Sequence, residues 1–353
     1  MVMSAHTDTA PRQQARILWQ LALDGDIQKP PMALADGVLI IVDRDVGCEV
    51  RRVSLESEGV TWRRPLDTPA MGQLARSGHV IAVPSAKGEL ARLSLADGTP
   101  LKPDWEPANA AWVGPLKAHG GRFYGRSGTG KGARLSCYVP GQRKPLWMTS
   151  DPLAGSDDGR LNYSAGRLLL AGNHAVEGML VTAFAPGTGE VLWTHRNPEL
   201  RVNRLWAIGG IIDVVTHTNV VGLSVETGEK RTTRFAGFPL ETATTSGGQL
   251  VAMMEGHMGP VLLSFDMVSQ NLAGRVSRAI EGLIGAHPAE VMVQLAGGEP
   301  ALYTLPGLET VGLPEADALQ NPRWIAWARD VAYVVAGHGR SLTALDLNSD
   351  GLE

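Results

Sequence analysis

A short phrase recurs along the whole chain: a small residue, a turn glycine, then an apolar β-rich run. It reads LADGVLIIV from Leu34, ARSGHVIAV from Ala75, AHGGRFYGR from Ala118, SAGRLLLAG from Ser164, IGGIIDVVT from Ile208 and SGGQLVAMM from Ser246. Two degenerate copies follow, GAHPAEVMVQL from Gly285 and ARDVAYVVA from Ala328. The turn positions are Gly37, Gly78, Gly121, Gly166, Gly210, Gly248, Ala289 and Asp330, spaced 41, 43, 45, 44, 38, 41 and 41 residues apart. A period near forty with several short strands per unit is the pattern of a β-propeller, also that of WD40-like repeats. Such a unit cannot bury its apolar face alone, so neighbours must stack. The repeat therefore predicts an all-β, eight-bladed propeller of four-stranded antiparallel blades, with seven blades as the alternative if the copy near Gly285 is irregular.

The two ends of the chain are out of phase in a useful way. The last unit runs from Ala328 to Ser341–Asp346 and ends before a fourth strand, while Arg16–Leu23 (RILWQLAL) is a lone strand of the fourth kind. The N-terminal strand is thus expected to complete the C-terminal blade and remove its open edge. Residues 16–353 then form one propeller domain, and residues 1–15, which carry no periodicity, a mobile tail. The fourth-strand positions are Trp19, Trp62, Lys102, Trp147, Trp193, Thr232, Leu272 and Gly312. A large flat side chain at this place fills the wedge between adjacent blades. Residues Leu313 to Arg323 are expected to hold a short turn of helix.

Composition narrows the function classes. The net charge is −4 and no basic tract stands out, so the electrostatic footprint of a nucleic-acid binder is missing. No run of about eighteen apolar residues exists, so membrane insertion is not expected. The opening MVMSAHTDTAPRQQARILWQ lacks an apolar h-region, and Cys48 and Cys137 belong to no CxxC pair. A bacterial, cytoplasmic location with two reduced thiols is expected.

The phrase AFAPGTGEVLWTHRNP, Ala183 to Pro198, resembles the repeat of pyrroloquinoline-quinone (PQQ)-type β-propellers. GLSVETGEKRTTRF from Gly222 is a second good copy, and ARLSLADGTPLKP from Ala91 and LTALDLNSDGLE from Leu342 are partial ones. That family holds quinoprotein dehydrogenases and non-catalytic propellers such as the lipoprotein scaffold of the outer-membrane assembly machinery. The dehydrogenase branch implies a vicinal disulfide near the quinone, a calcium ion and export; this chain has no Cys-Cys pair, and export is not expected from its opening residues. The lipoprotein branch implies a lipidated cysteine after a signal peptide, and Cys48 lies too deep for that. The resemblance implies a PQQ-like propeller of the non-catalytic, scaffold kind, with no cofactor and no metal.

Four local motifs carry candidate chemistry. GRSGTGKG, Gly125 to Gly132, approaches a phosphate-binding loop, but Gly132 has no hydroxyl for magnesium and a strand-like run follows where a helix is needed, so a hairpin turn is expected. DLNSDG, Asp346 to Gly351, has alternating oxygens as in a calcium loop but lacks the bidentate Glu, and reads as a turn. Asp157-Asp158 reads as a solvated loop pair. Turns between second and third strands carry His174, His217, His257 and His338, which should share one face with the blade-linking loops. Splayed blades keep these histidines too far apart for one metal ion, leaving a partner-contact rim as their functional reading. The linking loops add Trp105, Arg201, Arg204 and Arg323, residue types favoured at interface hot spots. Trp112, Trp206 and Trp327 are expected to pack on innermost strands. No nucleophile–base motif is present, so a non-enzymatic protein-interaction scaffold in a multi-protein assembly is expected. An enzyme or small-ligand binder using the central funnel is the alternative.

Overall fold

The structure is a computed structural model. It describes residues 13–102, 105–106, 110–128, 130–154, 156, 159–208, 210–236, 240, 242–256, 259–315 and 317–347. Eight antiparallel sheets follow one another along the chain and are the blades of an all-β, eight-bladed propeller. Blades 1 to 7 are meanders of consecutive strands. Blade 4 has strands Arg160–Ser164, Arg167–His174, Gly178–Phe184 and Val191–Asn197; blade 5 has Val202–Ile208, Ile211–Thr216, Val220–Ser224 and Lys230–Arg234. The copy near Gly285 forms a complete blade 7, with Ile280–Ala286 and Glu290–Leu295 as its first two strands, paired with two register shifts, which excludes seven blades.

The chain forms two compact units. One comprises the described parts of Met1–Asp24, Ala33–Ala35 and Thr244–Glu353, the other Gly25–Met32 and Asp36–Ala243. In the first unit the N-terminal strand Arg16–Ala22 pairs antiparallel with Ser341–Asp346, from Arg16 opposite Asp346 to Ala22 opposite Ser341. It supplies the outer strand of blade 8, as the phase of the repeat requires. The expected tail boundary moves, however. Gln13–Gln14 pairs in parallel with Val311 and Gly312, and Ala15, only 7% exposed, packs with Met292, Leu302 and Val311. Burying Ala15 and bonding its N–H to the Gly312 carbonyl at 2.7 Å order these residues. A 3₁₀ turn, Asp317–Leu319, occupies the place where a short helix was expected.

In the second unit the core lies between stacked blades, because middle strands buried on both faces read as continuous apolar runs. Every residue of Gly178–Phe184 is buried. Leu169, Met179 and Val181 of blade 4 meet Ile212, Val214 and Leu223 of blade 5. The outer-strand tryptophans lock neighbouring blades together. Trp62 donates its indole N–H to the Leu95 carbonyl of blade 2 at 3.1 Å, Trp147 to Pro186 of blade 4 at 2.9 Å, and Trp193 to Val225 of blade 5 at 3.0 Å. Each ring lies over the turn glycine three residues past the accepting carbonyl: Gly98, Gly189 and Gly228, at φ of +71°, +73° and +72°. A Cβ there would stand 2.6, 2.4 and 2.4 Å from the ring carbons, so glycine is needed both for the left-handed turn and for the close approach.

Blade 2 departs from the pattern. Its strands are Ala75–Ser77, Val80–Pro84 and Leu90–Ser94, and a single bridge, Leu93 to Pro100, stands where the fourth strand was expected. Lys102 therefore does not hold the outer-strand position.

Candidate functional site

Trp105, expected at an interface, is a core residue. It is 3% exposed, its indole N–H reaches the Val139 carbonyl at 3.0 Å, and its ring packs 5.4 Å from Phe123 and 5.4 Å from Tyr138. The Arg92 guanidinium covers its face at 4.7 Å. Val139 belongs to the turn after the third strand of blade 3, so Trp105 does for blades 2 and 3 what Trp62, Trp147 and Trp193 do elsewhere. Trp112 is also buried, 1% exposed, with its N–H on the Gly88 and Glu89 carbonyls.

The remaining candidates in this unit gather where the inner strand of blade 5 begins. The link from blade 4 turns at Asn197, whose side-chain oxygen accepts the Glu199 N–H at 3.0 Å, and leaves Arg201 exposed. Asn173, at the end of the second strand of blade 4, then clamps Val202 from both sides: its Nδ2 donates to the Val202 carbonyl at 3.0 Å and its Oδ1 accepts the Val202 N–H at 2.6 Å. His174 follows directly and its Nδ1 accepts the Glu177 N–H at 3.2 Å, shaping a turn whose tip, Val176, is 82% exposed. His217 occupies the same kind of turn in blade 5, where its carbonyl accepts the Leu240 N–H at 2.9 Å and its Nδ1 is buried without a hydrogen-bond partner among the described residues. Linking segments and second-to-third-strand turns thus meet, as the blade pattern requires.

A bulge builds the centre of this site. Val202 pairs with Thr216 and Arg204 with Val215, so Asn203 has no place in the ladder. Its side chain is held by the Leu240 carbonyl, Nδ2 to O at 2.6 Å. Its own carbonyl oxygen accepts two guanidinium groups, Nε of Arg160 at 3.2 Å and Nη1 of Arg204 at 3.1 Å. Arg160 and Arg204 stand at the same place in the repeat, six residues before Gly166 and Gly210. Among the described residues neither pairs with a carboxylate, in contrast to Arg126 on Asp151 or Arg196 on Glu177. Desolvation by the surrounding strands, and then the like charge of Arg160, hold the Arg204 guanidinium below its ordinary pKa. Arg160 and Asn203 escape a motif search, although the matching offsets of the two arginines are readable in the sequence.

The other arginine and histidine candidates fall in the other compact unit or outside the described residues. Arg323 and His338 belong to the other compact unit. Arg323 is exposed, with its guanidinium 5.7 Å from the Trp324 ring, and His338 is exposed in a 3₁₀ turn at φ +61°. His257, Asp157, Asp158 and residues 348–351 lie outside the described residues. The segment after Arg122–Ser127 is a 3₁₀ turn, Gly130–Gly132, followed by the strand Arg134–Tyr138, so the phosphate-loop resemblance ends in a hairpin. Among the described residues no three His, Cys, Asp or Glu side chains converge as metal ligands, and no helix is long and apolar enough to cross a membrane. Cys48 and Cys137 sit in the third strands of blades 1 and 3, and burial pushes their thiols up to about 11 and about 12.

No protein-family model and no curated protein sequence matches the chain. Solved structures do. BamB from Moraxella catarrhalis superposes with a TM-score of 0.68 at 15% identity, over 94% of this chain and 99% of that one. The computationally designed Ika8 protein gives 0.67 at 11% identity, over 91% and 98%. The quinohemoprotein alcohol dehydrogenase of Comamonas testosteroni gives 0.64 at 12% identity, over 96% of this chain and 77% of that one. BamB and the alcohol dehydrogenases are PQQ-repeat β-propellers, and in fold this chain is similar to them.

Proposed function

We propose that this chain is a non-enzymatic, protein-interaction scaffold, a component of a multi-protein assembly of the bacterial cytoplasm, and that it contacts its partner through the patch formed by Arg160, Arg201, Arg204, His174 and Val176. The observation that carries this reading is the paired guanidinium groups on the Asn203 carbonyl, cationic and without a carboxylate among the described residues. Surface loops fixed on a rigid sheet frame are where binding specificity sits, and Arg beside exposed apolar side chains suits an interface. The likeness to BamB supports a scaffold at the level of fold.

The likeness to quinohemoprotein dehydrogenases supports the second reading, an enzyme. Cys48 and Cys137 are buried in different blades, and among the described residues no three His, Cys, Asp or Glu side chains converge, so this second reading rests on the likeness in fold. A photo-crosslinking amino acid placed at position 201 in the native organism tests the scaffold reading. One protein crosslinked from position 201, and not from position 231 on the outer strand of blade 5, is expected. No crosslinked protein at position 201 would remove the patch from the interface.

A further inference from the structure

Arg160 and Arg204 come from neighbouring blades and meet on one backbone oxygen. That oxygen carries a partial charge and cannot neutralise two full positive charges. A carbonyl also accepts only along its lone pairs. It engages Nε of Arg160 and Nη1 of Arg204, and the remaining N–H groups of both forks find no carboxylate among the described residues. Two like charges so placed repel each other unless an anion joins them. Elsewhere this protein pairs such groups: Arg126 has Asp151, Arg51 has Glu49, Arg234 has Asp213. Here the backbone is built to hold the pair instead. The bulge at Asn203 frees the carbonyl from the ladder, Asn173 fixes Val202 in front of it, and Leu240 fixes the Asn203 side chain behind it.

We propose that Arg160 and Arg204 form a binding site for a single oxyanion, a carboxylate or a phosphate, bridged between the two guanidinium forks above the Asn203 bulge. Planar forks match the oxygens of both groups in paired, charge-assisted hydrogen bonds. Arg201, exposed on the same link, adds to the attraction of an anion without being part of the fork pair. The source of the oxyanion rests on the scaffold reading, which points to a Glu or Asp side chain, or the C-terminal carboxylate, of a protein partner. The site itself does not rest on that reading.

The test is titration of the purified full chain by calorimetry with inorganic phosphate, and separately with a tetraglutamate peptide, at one ionic strength balanced with chloride. Saturable binding near one equivalent is expected, weakened roughly tenfold by Arg160→Gln and by Arg204→Gln and unchanged by Arg231→Gln, which removes the same charge from the outer strand of blade 5. Arg204→Lys keeps the charge and loses the fork, and is expected to weaken binding nearly as much. Peptide binding tighter than phosphate identifies a partner's carboxylate as the source, and phosphate binding alone identifies a free anion; both support the site. Nitrogen NMR of the wild-type arginine Nε–H groups reports independently of any variant's folding, with two resonances expected to move together and saturate. No saturable binding of either probe, or binding that Arg204→Gln and Arg160→Gln leave intact, overturns the proposal. A partner that still crosslinks at position 201 in that case leaves the scaffold reading standing, so the two failures are distinguishable.

Discussion

Trp105 donates its indole N–H to the carbonyl of Val139 at 3.0 Å, closing blade 2 onto the turn of blade 3. The same bond joins Trp62, Trp147 and Trp193 to the next blade along the chain. Trp105→Ala leaves a large cavity among Phe123, Tyr138 and Arg92 and is expected to cost about 3–5 kcal/mol in urea unfolding. Trp105→Phe keeps most of the packing and loses the hydrogen bond, for about 1 kcal/mol more than packing alone. Equal, negligible effects of both substitutions would return Trp105 to the surface.

One turn of blade 4 separates close approach from mere flexibility. Gly189 lies under the Trp147 ring at φ +73°, whereas a methyl group added at Gly187, two residues earlier, would meet nothing within 4 Å. Gly189→Ala is expected to destabilise by about 2 kcal/mol or more, through strain and displacement of the indole. Gly187→Ala is expected to stay within about 0.5 kcal/mol of wild type. Thermal unfolding of the two variants side by side gives the comparison.

The N-terminal strand holds blade 8 by a ladder from Arg16 to Ala22, with Trp19 5% exposed beneath it. Deleting residues 16–23 uncovers the edge of Ser341–Asp346 and its apolar face. The unfolding midpoint is expected to fall by roughly 10 °C or more, consistent with the loss of several kcal/mol. An unchanged midpoint would mean that this strand contributes nothing to closure of the blade.

Glu49 is paired with the buried Arg51 and with Arg44. Burial raises the Glu49 pKa, but the hydrogen bonds and charges of Arg51 and Arg44 outweigh it, and the net shift is downward from 4.5. A carboxyl depressed on folding stabilises the protein above its unfolded pKa, and that stabilisation is lost as pH falls through the folded value. Glu49→Gln removes the carboxylate paired with Arg51, which is 2% exposed, and is expected to cost about 3 kcal/mol at pH 7. The gap between wild type and variant is expected to close below pH 4.5, in denaturant titrations across that range.

Much of this architecture is readable from the repeat, because glycines at left-handed turns and the continuous apolar runs of middle strands both leave local marks. The phase of Arg16–Leu23 reveals the composition of blade 8. Trp105 is misplaced by the repeat because the outer strand of blade 2 shrinks to one bridge at Pro100, so the tryptophan falls three residues past the expected Lys102. Proline at 103, which has no N–H to extend a ladder, is the available signal. Arg201 and Arg204 stand out as residue types, but their relation to Arg160 needs the alignment of two turns. The Asn203 bulge is not legible in the sequence, since the strand reads VNRLWAI, with no clean period-two alternation for one extra residue to break.

Affinity purification from the native organism at low salt, with wild-type chain and with Arg201→Glu/Arg204→Glu, tests the scaffold reading most directly. Mass spectrometry of proteins and small molecules reads both preparations. A stoichiometric protein retained by the wild type and lost from an equally stable variant is the expected result. A monomer carrying a small molecule, with the same protein background in both, would contradict it.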